Sequence, residues 1–353
     1  HSIAWWLKAC AKHVSNDDSI FFILVQQVLR SAVVESSEQS TDTISAAINH
    51  PVGYVTEACL TWWYKQGLED GQRLRSEIFL AFSLLIDPTV AAFRHGRLLL
   101  CAHVITLFRV DPEWTTLHIL PLFDWADETQ ARAAWSGLLW SPRLYWPLLR
   151  AIKTPFLATA SHYAALDDLK EQYVGLLTYA ALEGNGAITQ KEFATTFLVL
   201  PADALENAVL NVADAIESAA DKREEYWENR AKPYFQKIWP KSQQLRTPNM
   251  AANFGRLIAS CGEAFPDALA LLNGWLQPTD HIDIAIHKLN ESGLCERFPD
   301  EALTFLSLVV CSQPVWSARD MRDCLNKIMS CRPALTADLK YVRLDTSLRG
   351  SGH

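Results

Sequence analysis

The chain has 353 residues, 49% hydrophobic and 20% charged, which is enough apolar material for one large domain or two or three small ones. Lys and Arg number 32 against 40 Asp and Glu, a formal charge of −8. That balance lacks the basic footprint of a nucleic-acid binder, and the composition excludes intrinsic disorder, collagen, a coiled coil and a disulfide scaffold.

In chain order, His1-Ser2-Ile3-Ala4-Trp5-Trp6 opens with neither an initiator methionine nor a basic signal-peptide start, which reads as a piece of a longer protein. The stretch after Gly53 predicts a helix with a wide apolar arc of Val55, Cys59, Leu60, Trp62 and Trp63. Asp87-Pro88, Asp111-Pro112, Ser141-Pro142 and Thr154-Pro155 each place a capping oxygen before a proline suited to the first helical position. Between them, Arg97 to Arg109 is apolar around most of its circumference. Such a helix needs neighbours on several sides, so the chain needs more than one layer. Leu98 to Phe108 is too short for a bilayer, which takes about 20 apolar residues.

Thr189-x-x-Glu192 and Ser317-x-x-Asp320 read as capping boxes. After Pro201, the residues Leu205, Val209, Val212, Ile216, Ala220 and Trp227 share one face, and Asp214, Glu217, Asp221, Glu224, Glu225 and Glu228 fill the rest. This predicts a long amphipathic helix with an acidic outer face. Pro240 to Asn249 crowds Pro, Lys, Ser, Gln and Asn, and is the expected internal joint. Strand signals are nearly absent. The expectation is an all-α domain over residues 1–348, with residues 349–353 read as a vector-derived tail. Phe265-Pro266-Asp267-Ala268-Leu269 is echoed 33 residues later by Phe298-Pro299-Asp300, and Ile86-Asp87-Pro88 by Val110-Asp111-Pro112. A period near that length suits a multi-layer array of stacked helix pairs, solenoid-like, with an irregular globular helical domain as the alternative.

Residue chemistry assigns no catalytic, cofactor-binding or metal-binding residue. The eight cysteines, Cys10, Cys59, Cys101, Cys261, Cys295, Cys311, Cys324 and Cys331, form no C-x-x-C pair and read as reduced core thiols, which suits a cytoplasmic location. Ala181 to Phe193 resembles the second half of a calcium loop, with Gly186 at the turn and Glu192 at the closing position. Ala181, however, stands where the first carboxylate belongs, so the expectation is a Gly-Asn-Gly turn followed by the Thr189/Glu192 box. His95 and His103, eight apart, and His281 and His287, six apart, lack the spacing of a helical metal pair. Nucleophile elbow, phosphate loop and zinc-protease motifs are missing. The acidic pairs Asp17-Asp18, Glu69-Asp70 and Asp167-Asp168 are expected to complement helix dipoles.

The 13 tryptophans stand out, because they outnumber the 9 tyrosines and cluster. Most are expected in the core. Adjacent tryptophans point about 100° apart on a helix, so Trp5, Trp6, Trp62 and Trp63 are the candidate protein-binding residues, one of each pair facing a second layer or a partner.

Several phrases also carry a resemblance: Asn49-His50-Pro51-Val52-Gly53, Asp111-Pro112-Glu113-Trp114-Thr115, Pro121-Leu122-Phe123-Asp124-Trp125, Trp135-Ser136-Gly137-Leu138-Leu139-Trp140 and Ile238-Trp239-Pro240. Together they resemble the helical C-terminal region of large bacterial proteins with an N-terminal sirtuin-like (SIR2) domain, some relatives of which act in antiphage defence. The resemblance implies that NAD hydrolysis would belong to the sirtuin-like domain, whose phosphate loop and catalytic histidine have no counterpart here. This region would sense a trigger, such as a phage protein, or hold the oligomer together. The expected function is a non-catalytic protein-interaction or sensor domain. Its protein partner would be a phage protein or another copy of the parent, with neither nucleic acid nor membrane. The alternatives are an oligomerisation module and a helical enzyme with dispersed acidic residues.

Overall fold

The computed structural model describes residues 2–15, 19–33, 44–310 and 318–350, and among these the regular structure is entirely helical. Asp17, Asp18, Cys311 and Ser317 lie outside the described residues. The chain divides into two compact units, His1–Leu176 and Leu177–His353.

The first unit begins with α1 (Ser2–Cys10), α2 (Ser19–Ala32), α3 (Ile44–Ile48) and α4 (Pro51–Tyr64). His50 starts α4: its Nδ1 accepts from the Val52 amide at 3.2 Å, and Pro51 takes the first turn, where its missing N–H costs nothing. α1 and α2 both pack on α4, and α3 approaches it so closely that a side chain at Gly53 would collide with the Ala47 carbonyl. Next come α5 (Ser76–Leu85), α6 (Arg94–Ala102), α7 (Val104–Val110), α8 (Pro112–His118) and α9 (Glu128–Leu139). The expected helix from Arg97 to Arg109 is broken at His103, whose backbone (φ −106°, ψ 15°) is not helical. There the His103 Nδ1 lies 2.8 Å from the Tyr64 hydroxyl. The core of this unit is aromatic. Trp135 donates its Nε1 to the Phe123 carbonyl at 3.2 Å, and Tyr173 donates its hydroxyl to the Phe156 carbonyl at 3.0 Å.

The four Asp-Pro-like caps behave differently. Asp111 caps α8, accepting from the Trp114 amide at 3.0 Å, as expected. Asp87 instead makes a turn, its Oδ1 accepting from the Thr89 amide and hydroxyl, and no helix starts there. The buried Arg97 reaches this turn and donates to the carbonyls of Leu85 and Asp87, so a cation closes the end of α5. Ser141-Pro142 precedes no helix, because α10 (Trp146–Ala151) begins later, with Pro147 in its first turn. Thr154-Pro155 falls inside α11 (Lys153–Ala158), where the proline still sits in the first turn and displaces no hydrogen bond.

α12 (Lys170–Glu183) contains the division between the units. The second unit continues with α13 (Gln190–Leu198) and α14 (Ala202–Ser218). The predicted capping box opens α13: Glu192 accepts from the Thr189 amide at 2.7 Å, while the Thr189 hydroxyl oxygen accepts from the Glu192 amide at 3.2 Å. α14 buries Leu205, Val209, Val212 and Ile216 as the spacing predicts, but stops at Ser218. Ala220 adopts a left-handed backbone (φ 48°), α15 (Arg223–Tyr226) is short, and Trp227–Ala231 forms a π turn before α16 (Lys232–Lys237). Trp227 is nevertheless buried, as the spacing predicts, and its Nε1 donates to Asp267 at 2.7 Å.

α17 (Pro248–Ala259), α18 (Phe265–Leu272), α19 (Asp283–Glu291), α20 (Leu294–Arg297), α21 (Pro299–Val309), α22 (Ala318–Cys331) and α23 (Leu339–Gly350) follow. The expected joint at 240–249 lies inside this unit. Trp239 is buried among Tyr234, Phe235, Phe254 and Trp275, and Thr247 already caps α17, so the polar stretch is a turn over a packed core. The echoed phrases meet in space: α18 packs on α21, and the rings of Phe265 and Phe298 lie 6.3 Å apart.

Candidate docking face

The four singled-out tryptophans separate into two classes. Trp62 and Trp63 are both fully buried against other helices of the chain, the second-layer side of the expectation rather than the partner side. α4 is covered by α1 and α2 and by α5 and α6, and a helix so enclosed buries neighbouring positions together. Trp62 meets the edge of Phe22 at 4.8 Å, lies under the Arg75 guanidinium at 5.4 Å and donates its Nε1 to the Ser15 carbonyl at 3.2 Å. It therefore ties α2 and Ser15 to α4. Trp63 packs edge-on to Phe82.

Trp5 and Trp6 are 61% and 52% exposed. α1 spends Ala4 and Leu7 on its inward stripe, with Ala11 just beyond it, and its small buried width leaves both tryptophans outside. On the adjoining α2, Ile20 and Ile23 are 66% and 61% exposed and share a face at a spacing of three. These two isoleucines were missed in the sequence, because α2 is apolar on nearly all sides and its outward residues look like core. A cavity of about 310 Å³ is lined by Ser2, Ile3 and Ala4 of α1, Val28, Ser31 and Ala32 of α2, and Pro51. The start of α1 thus lies beside the end of α2, so the two run antiparallel.

Asp17 and Asp18 stand between α1 and α2 in the sequence. The described residues of α1, α2 and their flanks carry Lys8, Lys12 and Arg30 but no Asp or Glu. Lys8 is committed to Glu57 at 2.6 Å. Lys12 and Arg30 are exposed, and their side chains make no hydrogen bond or ion pair among the described residues.

Elsewhere several candidate reactive side chains are buried or paired. Burial pushes the Cys59 thiol up to about 12 and those of Cys101 and Cys261 higher still, far from thiolate chemistry. His95 stacks on His50 at 4.1 Å; burial, then the positive charges of His50, Arg94 and Arg97, lower it to about 3. It stays neutral and serves packing. Burial also lowers His103. The loop resembling a calcium site is taken up internally: Glu192 by Thr189, and Glu183 by Arg230 and Tyr226. Asp70 pairs with Arg109 at 2.7 Å and Asp167 with Arg132 at 2.8 Å, surface ion pairs rather than dipole partners. A groove of about 400 Å³ beside Lys222, Glu225, Tyr226, Asn229 and Arg230 holds one uncommitted carboxylate, not an acid–base pair. Among the described residues, no three His, Cys, Asp or Glu side chains converge as a metal site, and no helix is long and apolar enough to cross a membrane.

No protein-family model matches the chain, and no solved structure matches it. Over 131 residues it is 27% identical to an uncharacterized protein, y4cA, of Sinorhizobium fredii (strain NBRC 101917 / NGR234). The aligned segment is 36% of this chain and 11% of that protein, so the chain matches about a tenth of a much longer relative.

Proposed function

We propose that this chain is a non-catalytic, helical protein-interaction domain of a larger bacterial protein, and that the α1–α2 face receives its protein partner. The observation that carries this reading is the exposure of Trp5, Trp6, Ile20 and Ile23 on two helices packed against each other. Large apolar side chains grouped on a surface mark interaction sites, and tryptophan is the residue that most often dominates binding energy. The sequence resemblance to the C-terminal regions of sirtuin-like defence proteins supports a sensor role, with a phage protein as the partner. The oligomerisation alternative would place the same face against another copy of the chain.

The test is a pull-down with the wild-type chain and with a W5A/W6A variant, from lysates of phage-infected and uninfected bacteria. Any enriched protein is then purified and titrated directly, and light scattering gives the mass of each bait. A partner retained by the wild type and lost by the folded variant is expected. Equal retention by both, or a wild-type dimer that the variant converts to a monomer, would overturn the reading.

A further inference from the structure

We infer that Cys295 and Cys324 form a redox-sensitive pair, which a hydroperoxide closes into a disulfide that fastens α20 to α22. Both cysteines are free and fully buried, Cys295 on α20 and Cys324 on α22, two helices that pack on each other and on α19. Their thiols reach the same stretch of α19. The Cys324 Sγ lies 4.0 Å from the Ile286 carbonyl oxygen, and the Cys295 Sγ lies 3.9 Å from that of Leu289, three residues further along. There the Cys324 thiol is within side-chain hydrogen-bonding reach of Cys295. Cys59, Cys101 and Cys261 are buried as deeply, yet among the described residues no second cysteine acts on any of them.

The chemistry divides the roles. The Cys324 thiol is held well above its usual value, first by the hydrogen bond with Cys295, then by burial and by the negative charge of Cys295 once ionised. Lys327, one turn on, pulls the other way. Cys324 therefore stays the protonated partner, and Cys295 is the sulfur that attacks. A bond forms from the Cys295 sulfur to one peroxide oxygen, the O–O bond breaks, and the thiol proton leaves with the other oxygen as an alcohol, or as water when the oxidant is hydrogen peroxide. The Cys324 sulfur then attacks the sulfenic sulfur of Cys295. The S–O bond breaks, and the hydroxide leaves with the Cys324 proton as water. Two thiols lose two electrons, which reduce the peroxide. Closure draws the sulfurs to about 2.05 Å. α20 is a single turn, Leu294–Arg297, entered through the left-handed Gly293 (φ 70°), and is short enough to take up that movement. The cross-link closes a loop of about 30 residues and so restricts the unfolded chain.

The test treats the full chain with hydrogen peroxide, unfolds it in urea with iodoacetamide, and maps its peptides by mass spectrometry. A linked peptide that joins Cys295 to Cys324 and lacks two hydrogens is expected. The oxidised chain is expected to unfold at a higher denaturant midpoint, which dithiothreitol returns to the untreated value. The same link is expected in C331S, because the exposed Cys331 takes no part. In C295S and C324S the midpoint is expected to stop responding to the peroxide; where a serine variant does not fold, the wild-type peptide map decides. Both cysteines still alkylated after peroxide, oxygen added to either without a link, or a link that runs to another cysteine would overturn the inference. The pair stands on other helices than the α1–α2 face, so this result and the W5A/W6A pull-down fail separately.

Discussion

Both units expose large apolar side chains, Leu198 and Leu339 among them in the second, but they join their helices with charge differently. In His1–Leu176, the exposed large apolar residues include Trp5, Trp6, Ile20, Ile23, Phe79, Leu80, Leu117 and Trp140, and the ion pairs are single contacts such as Arg73–Glu113 and Arg109–Asp70. In Leu177–His353, charged residues join helices in networks. Glu217 on α14 accepts from Arg256 and Ser260 on α17 and pairs with Lys288 on α19, while Asp214 takes a further Arg256 hydrogen at 2.6 Å. Lys232 bridges Glu228 and Asp267, and Asp267 also accepts from Trp227. The first unit places two exposed tryptophans and two exposed isoleucines on adjoining helices, and this is why the docking face is placed there.

Three changes sharpen that contrast. The largest effect is expected from Trp62→Ala, which removes a fully buried indole that holds Phe22 and the Ser15 carbonyl. The loss is about 3–5 kcal/mol, read as a lower midpoint in denaturant unfolding; an unchanged midpoint would mean that α2 is not anchored as described.

A smaller effect is expected in the second unit from Glu217→Gln, about 1–2 kcal/mol at neutral pH through weakened charge-assisted hydrogen bonds. Burial opposes ionisation of Glu217, but the hydrogen bonds from Arg256, Ser260 and Lys288 outweigh it and hold the carboxyl below its ordinary value. A carboxyl depressed in the folded state contributes stability above its unfolded value, about 4.3, and that contribution fades as the pH falls through the folded value. Unfolding curves taken from about pH 6 down to about pH 3 should therefore fall less steeply for the glutamine variant. Parallel curves would argue against the network.

The smallest effect is expected from W5A/W6A. Both side chains are largely exposed, so stability should stay within about 0.5 kcal/mol of the wild type for each substitution. A loss as large as that from Trp62→Ala would show that these tryptophans are structural.

What was legible in the sequence was local. The Thr189/Glu192 box and the Asp111 cap depend on residues three apart, and the inward stripe of α14 depends on spacing along one helix, so neighbours in sequence suffice. Other local signals were outvoted. Asp87 has the same Asp-Pro phrase as Asp111 but makes a turn, because Arg97, ten residues later, takes its carbonyl. The amphipathic pattern continued past Ser218 on paper, whereas the helix breaks at a left-handed Ala220 and resumes through a π turn that still buries Trp227.

The tryptophan pairs show where the boundary lies. Trp5-Trp6 and Trp62-Trp63 are the same dipeptide on helices, and the sequence by itself determined that each pair splays around a helical surface. Only the tertiary structure decided their fates. α4 is enclosed on several sides and hides both indoles, whereas α1 touches its neighbours along a narrow alanine–leucine stripe and leaves both outside. Burial is set by how many helices surround a position, and that number is a property of packing between residues distant in sequence. The all-α class followed from local patterning; the docking face followed from which helix was left at the edge.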